Sequence, residues 1–152
     1  MTNFKVVYDR AMGRLRDYRI DNLFSKDETM FYDFMRQKLY ESIDTFNGCL
    51  SDLTYHSEVV GTDTEWYFDS TLTSKETSIL AYGVVIAWME QNMLDITQMN
   101  LHLNSKDFKM FSENANLKQK SEVLDKMRED MNREITEYQL RNLTSLPFFG
   151  GV

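Results

Sequence analysis

Apolar residues recur at steps of three and four through most of the chain, and each break in that rhythm marks an element boundary. Phe4, Val7, Tyr8, Ala11, Leu15 and Tyr18 share one helical face, predicting a first helix over residues 3–20 that Gly13 weakens slightly. Ser25-Lys26-Asp27-Glu28 has the form of a capping box, in which serine and glutamate side chains accept free backbone N–H groups. A second helix follows to Phe46, with Tyr32, Met35, Leu39, Ile43 and Phe46 as its stripe, widened by Phe31 and Phe34. Asn47-Gly48 ends it, because both residues tolerate left-handed backbone.

The rhythm then changes. Thr54, Tyr55, Val59, Val60, Trp66, Tyr67 and Phe68 are strand formers, and Gly61-Thr62-Asp63 is a turn signal. Residues 49–73 therefore predict a short β-hairpin or an extended loop. A lone hairpin is marginal in water, so this one must lean on the helices or on another subunit. Trp66, Tyr67 and Phe68 are its candidate contact residues.

Thr73-Ser74-Lys75-Glu76 is a second capping box. The helix it opens, over residues 74–92, is apolar on every side from Ile79 to Met89 and predicts a buried central helix. A short helical segment is expected over 95–101 and an extended stretch over 104–111. Ser112 then caps a last helix over 113–143. Leu117, Leu124, Met127, Met131, Ile135 and Tyr138 mark its narrow apolar seam, suited to a bundle surface or a neighbouring chain. Pro147 stops helix formation, and Leu146, Pro147, Phe148, Phe149 and Val152 form a candidate docking tail, since exposed phenylalanines are costly in water. The expected fold class is mainly α. It is a helical bundle with a buried central helix, a long C-terminal helix, a hairpin or extended loop at about 49–73 and an extended tail. Residues 1–143 form the single helical domain and 144–152 the tail.

Composition adds an intracellular, soluble expectation: no apolar run reaches the about 18 residues that span a bilayer, and no leader-like segment opens the chain. The net charge of −7 is uneven. Residues 1–20 carry five basic and two acidic side chains, whereas 21–70 carry three basic and eleven acidic. That surplus disfavours a general nucleic-acid-binding surface. Arg10, Arg14, Arg16 and Arg19 read as a solvated helix face or a protein-contact face.

The search for chemistry returns bland readings. His56 and His102 lack partners at metal-ligand spacing, and no phosphate loop or nucleophile elbow is present. Cys49, the only cysteine, reads as a small buried hydrophobe. Asp63, Glu65 and Asp69 lie beside Trp66, but a charged loop face accounts for them better than paired-acid catalysis. No cofactor, metal site or enzymatic activity is expected.

Two segments carry a resemblance. The run from Asp69 through Leu72-Thr73-Ser74-Lys75-Glu76 to Trp88-Met89-Glu90 is one. The other is Leu103-Asn104-Ser105-Lys106-Asp107-Phe108-Lys109-Met110-Phe111-Ser112-Glu113, followed by a long charged helix. In order and spacing, over roughly residues 65–140, they resemble the head–tail connector (adaptor, neck) proteins of tailed bacteriophages. The resemblance implies a virion protein at the head–tail interface, assembled in the host cytoplasm as a homo-oligomeric ring, usually a dodecamer. Such a ring binds the portal protein, extends the channel for DNA as passing cargo, and presents a surface to another neck or tail protein. Read from the residues alone, a small acidic cytoplasmic regulator that binds another protein as monomer or dimer fits equally well.

Overall fold

A computed structural model describes residues 1–15, 23–102 and 110–143, with the side chains of 95–102 and 110–117 left out. It is mainly helical with a small antiparallel sheet. The elements run β1 (Thr2–Asn3), α1 (Phe4–Met12), α2 (Glu28–Thr45), β2 (Tyr55–Val60), β3 (Asp63–Phe68), α3 (Ser74–His102) and α4 (Met110–Leu143).

The predicted central helix is central. α1, α2 and α4 all pack on α3, and Ile79, Leu80, Ala81 and Val84 within it are fully buried. Over its middle turns a helix surrounded by three others has little solvent face, which is why the sequence there lacks a polar stripe. Gly83 lies where α2 crosses, and a methyl group there would overlap the Ser42 side chain. Ser42 spends its hydroxyl on the Leu80 carbonyl at 2.8 Å, so the close approach leaves no buried polar atom unpaired at this point.

Several boundaries differ from the sequence reading. α1 ends at Met12, with Gly13 as its C-cap, and Gly13-Arg14 form a turn. The predicted extension through Leu15 therefore fails, and residues 16–22 lie outside the described residues. Ser25 is not the cap of α2. It sits in a helical turn over residues 23–26, and Asp27 caps α2 by accepting the Met30 N–H at 2.9 Å. α3 runs on to His102, absorbing the segment expected separately over 95–101. α4 is already helical at Met110, two residues before the expected Ser112 cap. Its 34 residues span roughly 50 Å at about 1.5 Å per residue. Of the extended stretch expected over 104–111, residues 104–109 are outside the described set and 110–111 are helical.

The hairpin forms as predicted, turning at Gly61 with φ 68°. What sequence did not anticipate is the third strand. β1 pairs with the base of β3, Thr2 opposite Phe68 and Asn3 opposite Tyr67, giving the order β1-β3-β2. No helix of the described residues is long and apolar enough to cross a membrane.

Candidate interaction surfaces

The two ends of the hairpin are built differently. Its base is an aromatic wedge. Phe68 is fully buried, and Phe4 at the start of α1 packs on it with ring centres 4.5 Å apart. Phe4 also meets Tyr55 at 5.5 Å and Trp66 at 6.3 Å. From α2, Tyr40 stacks on Tyr55 and the Arg36 guanidinium lies 4.9 Å over the Trp66 ring. The hairpin thus leans on its own helices. Trp66 Nε1 is the one buried side-chain polar atom without a hydrogen-bond partner among the described residues.

Away from the base the hairpin leaves the bundle. Val59 is 77% exposed and Val60 50%. β2 is an edge strand, with its outer backbone side unpaired within the sheet. The outward face of the sheet, set by the two-residue alternation, carries His56, Glu58 and Val60 on β2 opposite Tyr67, Glu65 and Asp63 on β3. Glu58 and Glu65 are direct cross-strand partners, a like-charge pairing that ordinarily destabilises a sheet. Each is compensated from the side. Lys5 donates to Glu65 at 2.8 Å, assisted by the Tyr67 hydroxyl at 2.6 Å and Asn3 Nδ2 at 3.1 Å. These donors hold the Glu65 carboxyl below its usual range, the Lys5 bond contributing most. His56 bridges Asp69 at 2.5 Å and Glu58 at 3.2 Å, and the two carboxylates, Asp69 first, raise its pKa. Asn3 does double duty, since its Oδ1 also accepts the Lys5 N–H as the cap of α1.

Just past the base of the hairpin a single carboxylate ties three segments together. Glu76 is 1% exposed. It closes the predicted capping box, accepting the Thr73 N–H at 2.7 Å while Thr73 Oγ1 accepts the Glu76 N–H at 3.3 Å. The same carboxylate takes the Tyr138 hydroxyl of α4 at 2.5 Å and the Ser51 hydroxyl at 3.0 Å. The Cys49 thiol points at it from 3.6 Å. Burial alone would raise this carboxyl. The Tyr138, Thr73 and Ser51 bonds outweigh it and bring it down to about 2. Burial and then the neighbouring carboxylate push Cys49 up to about 11, which keeps it a protonated, unreactive thiol. Tyr138 in turn accepts the Leu50 N–H at 3.0 Å, so the 49–53 loop is held as well.

The sequence-predicted contact residues therefore separate. In the α4 seam, Leu124, Met131, Ile135 and Tyr138 are buried against their own chain, and Met127 is half-buried beside them. The seam serves the subunit's own bundle. Leu117 falls within α4, but its side chain is outside the described residues. Phe68 belongs to the core and cannot offer a surface, whereas Trp66 and Tyr67 are half-buried. The tail residues Leu146, Pro147, Phe148, Phe149 and Val152 also lie outside the described residues. A groove of about 280 Å³ between α2, α3 and α4, floored by Gly83, Ile86 and Met131, is bridged by Arg128 and Glu90 at 2.7 Å. Among the described residues no group of three or more His, Cys, Asp or Glu is arranged to hold a metal ion.

Two arginines of the basic run, which the sequence reads as a solvated or protein-contact face, find partners on another helix. Arg10 and Arg14, one helical step of four apart, reach Ser74 and Ser78 at the same spacing on α3. The signal was present as two matched i, i+4 pairs, but nothing in sequence says that the helices carrying them touch. No protein-family model, no curated protein and no solved structure matches the chain.

Proposed function

We propose that the chain is a structural virion protein, the subunit of a homo-oligomeric head–tail connector ring that binds the portal, extends the DNA channel and presents a surface for a further neck or tail protein. The observation that carries the reading is the succession over residues 65–140. An extended strand leads through a Leu72-Thr73-Ser74-Lys75-Glu76 cap into a helix buried over Ile79–Ala87 apart from the half-buried Tyr82, with Trp88 and Glu90 toward its middle, and a 34-residue charged helix follows in sequence. The order supports the resemblance, which expects the buried helix to end at Trp88 and Glu90, whereas α3 runs on to His102. The capping box at its centre also fixes α4 and the 49–53 loop through Glu76. A rigid bundle with a projecting hairpin suits a ring subunit, which must hold its shape while its exposed parts meet neighbours. The acidic surface suits a channel through which DNA passes without being gripped, by like-charge repulsion.

Native mass spectrometry of the purified chain, alone and with its portal protein, tests this. A ring, by itself or on the portal, is expected. A mass that stays at 18.0 kDa in both conditions removes the proposal. A stable dimer indifferent to portal favours a cytoplasmic protein-binding regulator. Deleting residues 146–152 is expected to leave helical content unchanged and weaken assembly. Unfolding on deletion would place the tail in the core instead of at a docking site.

A further inference from the structure

We infer that the acidic outer face of the hairpin docks on the Arg10–Arg14 ridge of a second copy of this chain, giving a head-to-tail subunit contact. The inference supplies the contact that the ring reading requires and rests on that reading for closure of the ring.

The hairpin side is unusually one-signed. Residues 49–73 contain Asp52, Glu58, Asp63, Glu65 and Asp69 and no lysine or arginine. On the outward face, Glu58 and Glu65 are held in register against their mutual repulsion, with Lys5 the only lysine or arginine ion-paired to the face among the described residues. At the tip Val60 lies on this face and is 50% exposed, and Val59, on the reverse face, is 77% exposed. An edge strand bearing exposed valines beside a surplus of carboxylates is half of an interface, with an apolar contact and a charge to be met.

The other half lies on α1 and the first turns of α3. Arg10 donates to Ser74 Oγ at 3.2 Å and to the Ser74 carbonyl, and Arg14 donates to Ser78 Oγ at 2.8 Å while its guanidinium sits 4.7 Å over the Tyr82 ring. These neutral partners fix both guanidiniums in place and neutralise neither. No carboxylate pairs with Arg10 or Arg14 among the described residues. Two pre-positioned guanidiniums beside a tyrosine, with no ion pair to a carboxylate among the described residues, are suited to carboxylates arriving from outside. The two patches share no residue. Contact between different patches of identical chains is heterologous, the kind that generates rings when the rotation closes.

The experiment is a charge swap on the full chain, read by analytical ultracentrifugation with circular dichroism as a check of folding. Arg10→Glu with Arg14→Glu is expected to weaken self-association at least tenfold, and so is Glu58→Lys with Asp63→Lys. Mixing these two variants is expected to restore assembly, since each contact then pairs opposite charges, and so is placing all four changes in one chain. Wild-type assembly is expected to weaken as salt rises. If the wild type forms rings and either reversed variant, folded, assembles as well as it does, the inference fails and the ring reading stands. Folded variants that the swap does not rescue also overturn it. Loss of portal binding with self-assembly intact would assign the ridge to another partner. A wild type that stays monomeric with and without portal removes both readings.

Discussion

The Glu76 node and the outer hairpin face both gather carboxylates, and they treat them in opposite ways. Glu76 is removed from water and given a full set of donors, from Thr73, Ser51 and Tyr138. Glu58 and Asp69 stay exposed and share His56, and the half-buried Glu65 takes Lys5, the Tyr67 hydroxyl and Asn3. A fully satisfied buried carboxylate fixes geometry, because each donor it holds would be orphaned by its loss. A partly compensated exposed cluster fixes little within the subunit and leaves charge available to a partner. Glu76 ties segments of the core together, whereas the hairpin face keeps its carboxylates nearer solvent.

The largest break in that contrast is expected from Glu76→Ala. It strips the partner from Tyr138, Ser51 and the Thr73 N–H together and is expected to cost about 3 kcal/mol or more, read as a shift of the urea midpoint. Glu58→Ala, removing an exposed carboxylate from the hairpin face, is expected to change stability by less than about 0.5 kcal/mol.

Acid should tell the two sites apart next. Glu76 ionises at about 2 in the folded chain, below an unperturbed 4.5. A lowered folded-state pKa stabilises above the unfolded value, and that contribution is lost as pH falls from 4.5 toward 2, amounting to about 3 kcal/mol by the linkage relation. Unfolding measured across this window is expected to lose its steepest component in Glu76→Gln. At the hairpin the sign is reversed. His56 is raised by Asp69 and Glu58, so any stability it adds is present below its unfolded value of 6.5 and lost as pH rises through its folded pKa. An NMR titration should place that imidazole above 6.5.

Two glycines sharpen the comparison at smaller scale. Gly83→Ala forces a methyl group into Ser42 at the α2–α3 crossing and is expected to cost about 1–3 kcal/mol. Gly61→Ala meets nothing within 4 Å, but the residue sits at φ 68°. Its cost is backbone strain alone, about 1 kcal/mol. Equal costs for the two would show that the hairpin tip is packed more tightly than its exposure indicates. The smallest effect belongs to Val59→Ser, expected to leave the denaturation midpoint unchanged while weakening self-association.

Much of this architecture is written locally in the sequence. The all-apolar run from Ile79 to Met89 required a surrounded helix, and the Thr73–Glu76 spacing required a cap. The strand formers flanking Gly61 required a hairpin. These depend on neighbours a few residues away, through propensity, periodicity and turn chemistry, so a reading of the chain finds them. Boundaries were less legible where two local signals competed. Ser25 and Asp27 both offer a capping oxygen, and packing of Phe31 and Met35 into the core selects the register that uses Asp27. β1 was beyond reach, because two residues carry no period and become a strand only by lying against Phe68 and Tyr67.

The same limit governs the surfaces. Sequence determined the acidic balance of the hairpin, the basic spacing of Arg10 and Arg14, and the apolar seam of α4. Only tertiary structure decided that the seam closes on its own bundle, that Phe68 is core, and that Glu58 faces Glu65. Only there does the α3 capping glutamate meet Tyr138, 62 residues away. Local patterns are encoded by the chain's covalent order. A partner far along the chain is chosen by the packing of whole helices, which no short window of sequence contains.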